Sequence, residues 1–371
     1  MFSVKINHLV SASAALAIGL LLSLAASWAQ AAAPAEKNGA TTPVVSASKP
    51  VGTVATTAAP LPAPLPTAAA PDKVKVGIYI TQLYDIDMAK RSFNATFWGW
   101  YQTTDGKYKP LDNVEIVNAK ASLTKFGSVT TRDNIPWDGG NADVFWTEGK
   151  YNALLMQDWN VDNFPFDRQV LHINLEDGIN DESQTIFVAD EKNSKIDQEL
   201  KLPGWVIESF SIKSVNNVYD TTYGDPTLQG VSTYSRVIAD IVIKRAGLRI
   251  LCSMFIGFFV AFTLVLLSYF MDAIGMAASR VGLSAGAIFA AIGNKYIIDN
   301  YLPPSSSFTL ADGIELATFL AIIFGILVTV VIQWFKAHHP RTVKRINHWS
   351  AAFSVVAYVG FIGHLVYRAA S

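Results

Sequence analysis

The chain has 371 residues, 51% of them apolar, and a formal net charge of −1. That apolarity exceeds what an ordinary soluble protein carries, the length admits two domains, and the near-neutral charge offers nothing to attract nucleic acid. A single cysteine, Cys252, excludes an intrachain disulfide framework, so an exported domain must stand on its apolar core.

In chain order, Lys5 precedes an apolar run from Ala14 to Ala26 and then Ala29-Gln30-Ala31, the three regions of a secretory signal peptide over 1–31. Residues 32–72 are rich in Ala, Pro, Thr and Ser and poor in aromatics, which predicts a disordered linker. From Lys73 to Arg245 the apolar residues alternate: Val74, Val76, Ile78 and Ile80, then Phe93, Ala95 and Phe97, then Val114 and Ile116, then Leu171, Ile173 and Leu175. Period two means strands. The turn residues between them include Asp105-Gly106, Asp138-Gly139-Gly140 and Gly224-Asp225-Pro226, so 73–245 is expected to be an antiparallel β-sandwich. Within it the acidic turn Glu176, Asp177, Asp181 and Glu182 is a candidate for a cationic ligand or calcium, set against an ordinary solvated loop.

Four apolar runs follow over 247–270, 279–301, 311–335 and 349–367, each near the ~20 residues that cross a bilayer. They make 246–371 a four-helix transmembrane domain. Lys336, Arg341, Lys344 and Arg345, with His338, His339 and His348, crowd the third loop, so that side is expected to be cytoplasmic and the N-terminal domain exported.

The second run is unusual. At helical spacing Gly282, Gly286, Phe289, Gly293, Tyr296 and Asn300 form one stripe, with Ile297 beside it, while Leu283, Ile288, Ile292 and Ile298 point elsewhere. A lipid-facing helix should be aliphatic all round, so this stripe is expected to line a pore or to meet another helix closely, as its G-x-x-x-G pair also allows. The same stretch satisfies G-x-S-x-G through Ser284, but a nucleophile elbow needs a sharp strand-to-helix turn, and this is helix interior. No ligand spacing follows His338-His339, and neither a cofactor nor an enzyme activity is expected.

Asn163-Phe164-Pro165-Phe166-Asp167-Arg168-Gln169 resembles the F-P-F-D-x-Q core of the loop that names the Cys-loop receptors, the pentameric ligand-gated ion channels. Gly77-Ile78-Tyr79-Ile80, Val114 to Asn118 and Gly204 to Phe210 resemble further family pieces, and Arg280-Val281-Gly282-Leu283 is similar to the start of the pore helix in the anion-selective branch. The similarity covers 73–368. The flanking cysteines would fall at Gln157 and Leu171, as in prokaryotic members that lack the disulfide, and Cys252 and Gly257 stand where the family has prolines.

The resemblance implies a homopentamer in a bacterial inner membrane, opened by a small periplasmic ligand or by protons and passing inorganic ions. It further implies a coupling cluster of Arg245, Asp167, Asp87 and Pro165, and an intersubunit aromatic box containing Trp98, Tyr219 and Tyr223. The alternative is a non-conducting receptor of the same fold that couples to a partner protein.

Overall fold

The computed structural model describes residues 70–224, 230–336 and 340–370. The expected signal peptide, nearly all of the expected linker, Asp225-Pro226 of one turn, and His338-His339 lie outside them.

The sixteen-residue β1 (Asp72–Asp87) starts at the last residue of the expected linker and carries Val74, Val76, Ile78 and Ile80 into the core with no exposed surface. It pairs with β2 (Ser92–Thr103), after which the single turn α1 (Pro110–Asn113) leads into β3 (Val114–Ile116), β4 (Ala119–Trp137) and β5 (Gly140–Met156). Then come β6 (Arg168–Asp177), β7 (Thr185–Ala189), β8 (Lys195–Ile196), β9 (Trp205–Tyr219) and β10 (Ser232–Arg245). Among the described residues the strands form one sheet in the order β4-β5-β2-β1-β7, with β8 also on β1, and a second in the order β3-β6-β10-β9. The pairing is not wholly antiparallel as expected: β7 and β8 both run parallel to β1. Alternation places Phe93, Phe97 and Leu155 of the first sheet and Leu171, Ile173, Val237 and Ile241 of the second in one apolar cluster.

The helical part differs from four uninterrupted runs in its first member. α2 (Gly247–Met254) and α3 (Ile256–Phe270) meet at Phe255 with a bend of 56°. Proline is absent there; the cause comes from another helix. The N–H of Gly257 donates to Asn294 Oδ1 at 2.8 Å, and a Cβ on Gly257 would stand 2.6 Å from that oxygen. α4 (Ala277–Tyr301), α5 (Leu310–Phe335) and α6 (Pro340–Ala370) are unbroken. Among the described residues three helices are thus long and apolar enough to cross a membrane, or four if the bent pair counts as one span. α5 opens with a reciprocal capping box between Thr309 and Asp312, and α6 begins before Trp349, taking the basic residues Arg341, Lys344 and Arg345 into its first turns.

Candidate functional site: the sheet–helix junction, a tyrosine cluster and the open face of α4

Arg245 ends β10, and its guanidinium is almost fully buried. Nε donates to Asp167 Oδ1 at 2.9 Å, Nη1 to the Tyr301 hydroxyl at 3.0 Å and Nη2 to Met88 Sδ at 2.7 Å. The guanidinium carbon also lies 3.9 Å from the Trp205 ring centre and 5.0 Å from that of Phe164. Asp167 is held in turn by Gln169 Nε2 at 2.7 Å, a group that also donates to the Asn160 carbonyl. One cation therefore joins the first sheet's β1–β2 turn, the 160–169 loop, β10 and the last residue of α4.

The 160–169 loop is built into the helices. Phe164 is fully buried between Phe255 and Tyr301, with ring centres 6.2 and 5.8 Å away, and the Phe164–Pro165 peptide is cis. The Pro165 carbonyl oxygen would lie 2.8 Å from a Cβ at position 247, so Gly247 is what lets α2 start against this loop. The N–H of Leu310 donates to the Asp162 carbonyl at 2.9 Å, which ties the start of α5 to the same loop.

Of the four residues expected to cluster, Arg245, Asp167 and Pro165 are brought together and Asp87 is not. Its carboxylate pairs with Lys90 at 2.8 Å, which holds its pKa below the usual carboxylate value, and Met88 takes the place beside Arg245. The β1–β2 register shifts between Tyr84 and Asp87, next to Asp85 at φ 50°, and this turns the neighbouring side chain inward. Tyr301 was missed. It closes an apolar run, and only its position in space reveals the hydroxyl's partner.

Tyr219 and Tyr223 do meet, with ring centres 5.8 Å apart, and Tyr234 of β10 completes the group at 5.8 and 6.3 Å. Beneath them the buried Glu176 accepts from Tyr219 at 2.8 Å and from Arg236 Nε at 2.8 Å. Burial, reinforced by Glu176, pushes the Tyr219 phenol up to about 12. The Glu176↔Arg236 and Tyr219↔Ser232 registers built this site, and the alternation of β10 was the signal for Tyr234.

Asp177 serves a different end. Its buried carboxylate accepts from the Tyr108 hydroxyl, the N–H groups of Ile179 and Asn180, and Asn180 Nδ2, which fills its four acceptor positions, three of them from its own loop. Trp98 lies in the other sheet under Lys150, with Nζ 5.5 Å from its ring, and does not join the tyrosines within one chain.

On α4 the residues Arg280, Ser284, Ala287, Ala291, Asn294 and Ile298 are buried, a 4-3-4-3-4 spacing of mostly small side chains on one face. Two positions along, Gly282, Gly286, Phe289, Gly293, Tyr296 and Asn300 repeat that spacing on the exposed face, together with Ile297. Phe289 is 78% and Tyr296 72% exposed. Ile292, expected elsewhere, is exposed among them. A Cβ on Gly282 or Gly293 would meet nothing within 4 Å, and one on Gly286 only Leu264 at 3.7 Å, so the glycines do not serve a close helix contact inside the chain. Ser284 is buried in the helix interior and donates to the Arg280 carbonyl. Among the described residues no group of His, Cys, Asp or Glu could hold a metal.

No protein-family model matches the chain, and no curated protein matches it either.

Proposed function

We propose that this chain is a subunit of a homopentameric ligand-gated ion channel related to the prokaryotic Cys-loop receptors, with α4 lining the pore. In this reading the two sheets are the layers of a periplasmic β-sandwich. The bent α2–α3 pair, α4, α5 and α6 form a four-helix bundle in a bacterial inner membrane.

The observation that carries the proposal is the open face of α4: three glycines around Phe289, with Tyr296, Ile297 and Asn300 above, unpartnered in a single chain on a helix long enough to span. Exposed apolar surface of this extent calls for another copy or for lipid, and glycine is a poor lipid-facing residue. Five copies around an axis give a wide pore at Gly282, Gly286 and Gly293 and one dry constriction at Phe289, where ions lose water and gain no polar replacement.

Ligand binding is placed at Tyr219, Tyr223 and Tyr234, whose faces suit a cation, with Trp98 supplied by the neighbouring subunit. The signal then passes along β10 to Arg245 and from its guanidinium to Tyr301 at the end of α4. The test is ion flux from liposomes holding the purified chain, under ion replacement, a pH series and a panel of small amines. Ligand- or proton-dependent flux that Tyr223→Ala weakens without loss of the oligomer supports the proposal. Intact oligomers silent under every condition favour the non-conducting receptor.

A further inference from the structure

Arg280, at the fourth position of α4, is the largest fully buried side chain of the described residues. None of its three guanidinium nitrogens has a hydrogen-bond partner. The Tyr269 ring lies over it, with its centre 5.7 Å from the guanidinium carbon, and Asp272 acts on it only electrostatically, with no ion pair or hydrogen bond. Tyr269 is itself committed to α6, through its hydroxyl to Ser354 Oγ and its carbonyl to Asn347 Nδ2. The nearest acid along the chain, Asp272, is exposed and turned to its own loop, accepting from the N–H groups of Ile274 and Gly275.

A buried guanidinium offers five donors and a full charge, and an aromatic face answers only part of the charge and none of the donors. The surroundings add positive potential. The first turn of α4 has neither an acidic residue nor a side-chain cap, so its free N–H groups and dipole are unneutralised. Arg341, Lys344 and Arg345 stand exposed on the first turns of α6, the helix that holds Tyr269. A water can satisfy some of these donors, but it carries no charge.

We propose that Arg280, roofed by Tyr269 between α3, α4 and α6, binds a monatomic inorganic anion of the halide class. Because Arg280 has no exposed surface, a single-atom anion displaces less of the packing around it than a phospholipid headgroup would. The anion acts as the missing counter-charge that fixes the start of α4, and it is held behind the open glycine face of that helix.

The test uses the purified full chain in detergent at constant ionic strength, with chloride or bromide titrated against gluconate. Halide should raise Tm along a saturating curve, by roughly 3–6 °C at ten times its Kd. Arg280→Gln should abolish that dependence, and a triple Arg341→Gln, Lys344→Gln, Arg345→Gln chain should keep it. Crystals grown in bromide should show an anomalous peak within hydrogen-bonding distance of the Arg280 guanidinium. If Arg280→Gln does not fold, the wild-type titration and the bromide map still decide. Equal Tm in gluconate and halide with no peak at Arg280, or a non-saturating rise with peaks only at surface arginines, overturns the proposal; the second result means an adventitious ion only.

Discussion

Replacing Asp167 by Asn tests the junction at its centre, because the two side chains have the same shape and differ in charge. Arg245 and Asp167 are both nearly fully buried, with Nε 2.9 Å from Oδ1. Removing one partner of such a pair typically costs about 3–5 kcal/mol, since the other charge stays behind in a poor solvent. Here the Tyr301 hydroxyl, Met88 Sδ and the Trp205 ring still face the guanidinium, and an amide oxygen can accept one of its bonds, which lowers the expected cost to about 2–4 kcal/mol. For a chain of this size that is a fall in Tm of roughly 5–15 °C. Thermal unfolding in detergent measures it, and a double-mutant cycle with Arg245→Met isolates the pair: the double variant should be less damaged than Asp167→Asn alone, because no charge is stranded. A loss below about 1 kcal/mol, or independent effects of the two substitutions, would refute the claim that this ion pair holds the sheets to the helices.

Gly247→Ala should destabilise the chain by about 1–3 kcal/mol in the same assay, because the new Cβ meets the Pro165 carbonyl, which is backbone and cannot swing aside; an unchanged Tm would mean that α2 does not start against this loop. Asn294→Leu leaves the N–H of Gly257 without its acceptor and should cost about 1–3 kcal/mol, with hydrogen exchange accelerated at 255–258. In alkali, the phenol of Tyr219, displaced upward to about 12, is protonated in the folded chain where the unfolded chain has lost its proton, so its stabilising contribution is complete below pH 10 and disappears as pH rises from 10 to 12. Tyrosinate absorbance should therefore lack one late-titrating phenol in Tyr219→Phe, and an identical titration in both proteins would contradict the buried contact with Glu176.

The strands of the core were legible because burial imposes a period of two on β1, β2 and β6, and the helices because runs such as Leu310–Phe335 have no other stable environment. What escaped was decided by contacts distant in sequence. The break at Phe255 rests on Asn294, 37 residues from Gly257, and nothing within 247–270 announces it. Met88 takes the place expected for Asp87 because one irregular step in β1 outweighs charge pattern. Tyr234, Glu176 and Arg236 come together only through strand register, and Asp177, legible as an acid in a turn, divides its carboxylate between that turn and the distant Tyr108. The stripe on α4 was readable from spacing alone, since a straight helix keeps its faces, although the exposed Ile292 broadens it.

The central claim, that α4 lines a conducting pore closed at Phe289, is tested most directly by single-channel recording of Phe289→Ser in planar bilayers without ligand. A hydroxyl at the constriction gives ions a polar wall and admits water, so the account predicts spontaneous openings from Phe289→Ser, whereas Phe289→Leu stays closed at rest. Pentamers of Phe289→Ser that assemble intact and never conduct would contradict it.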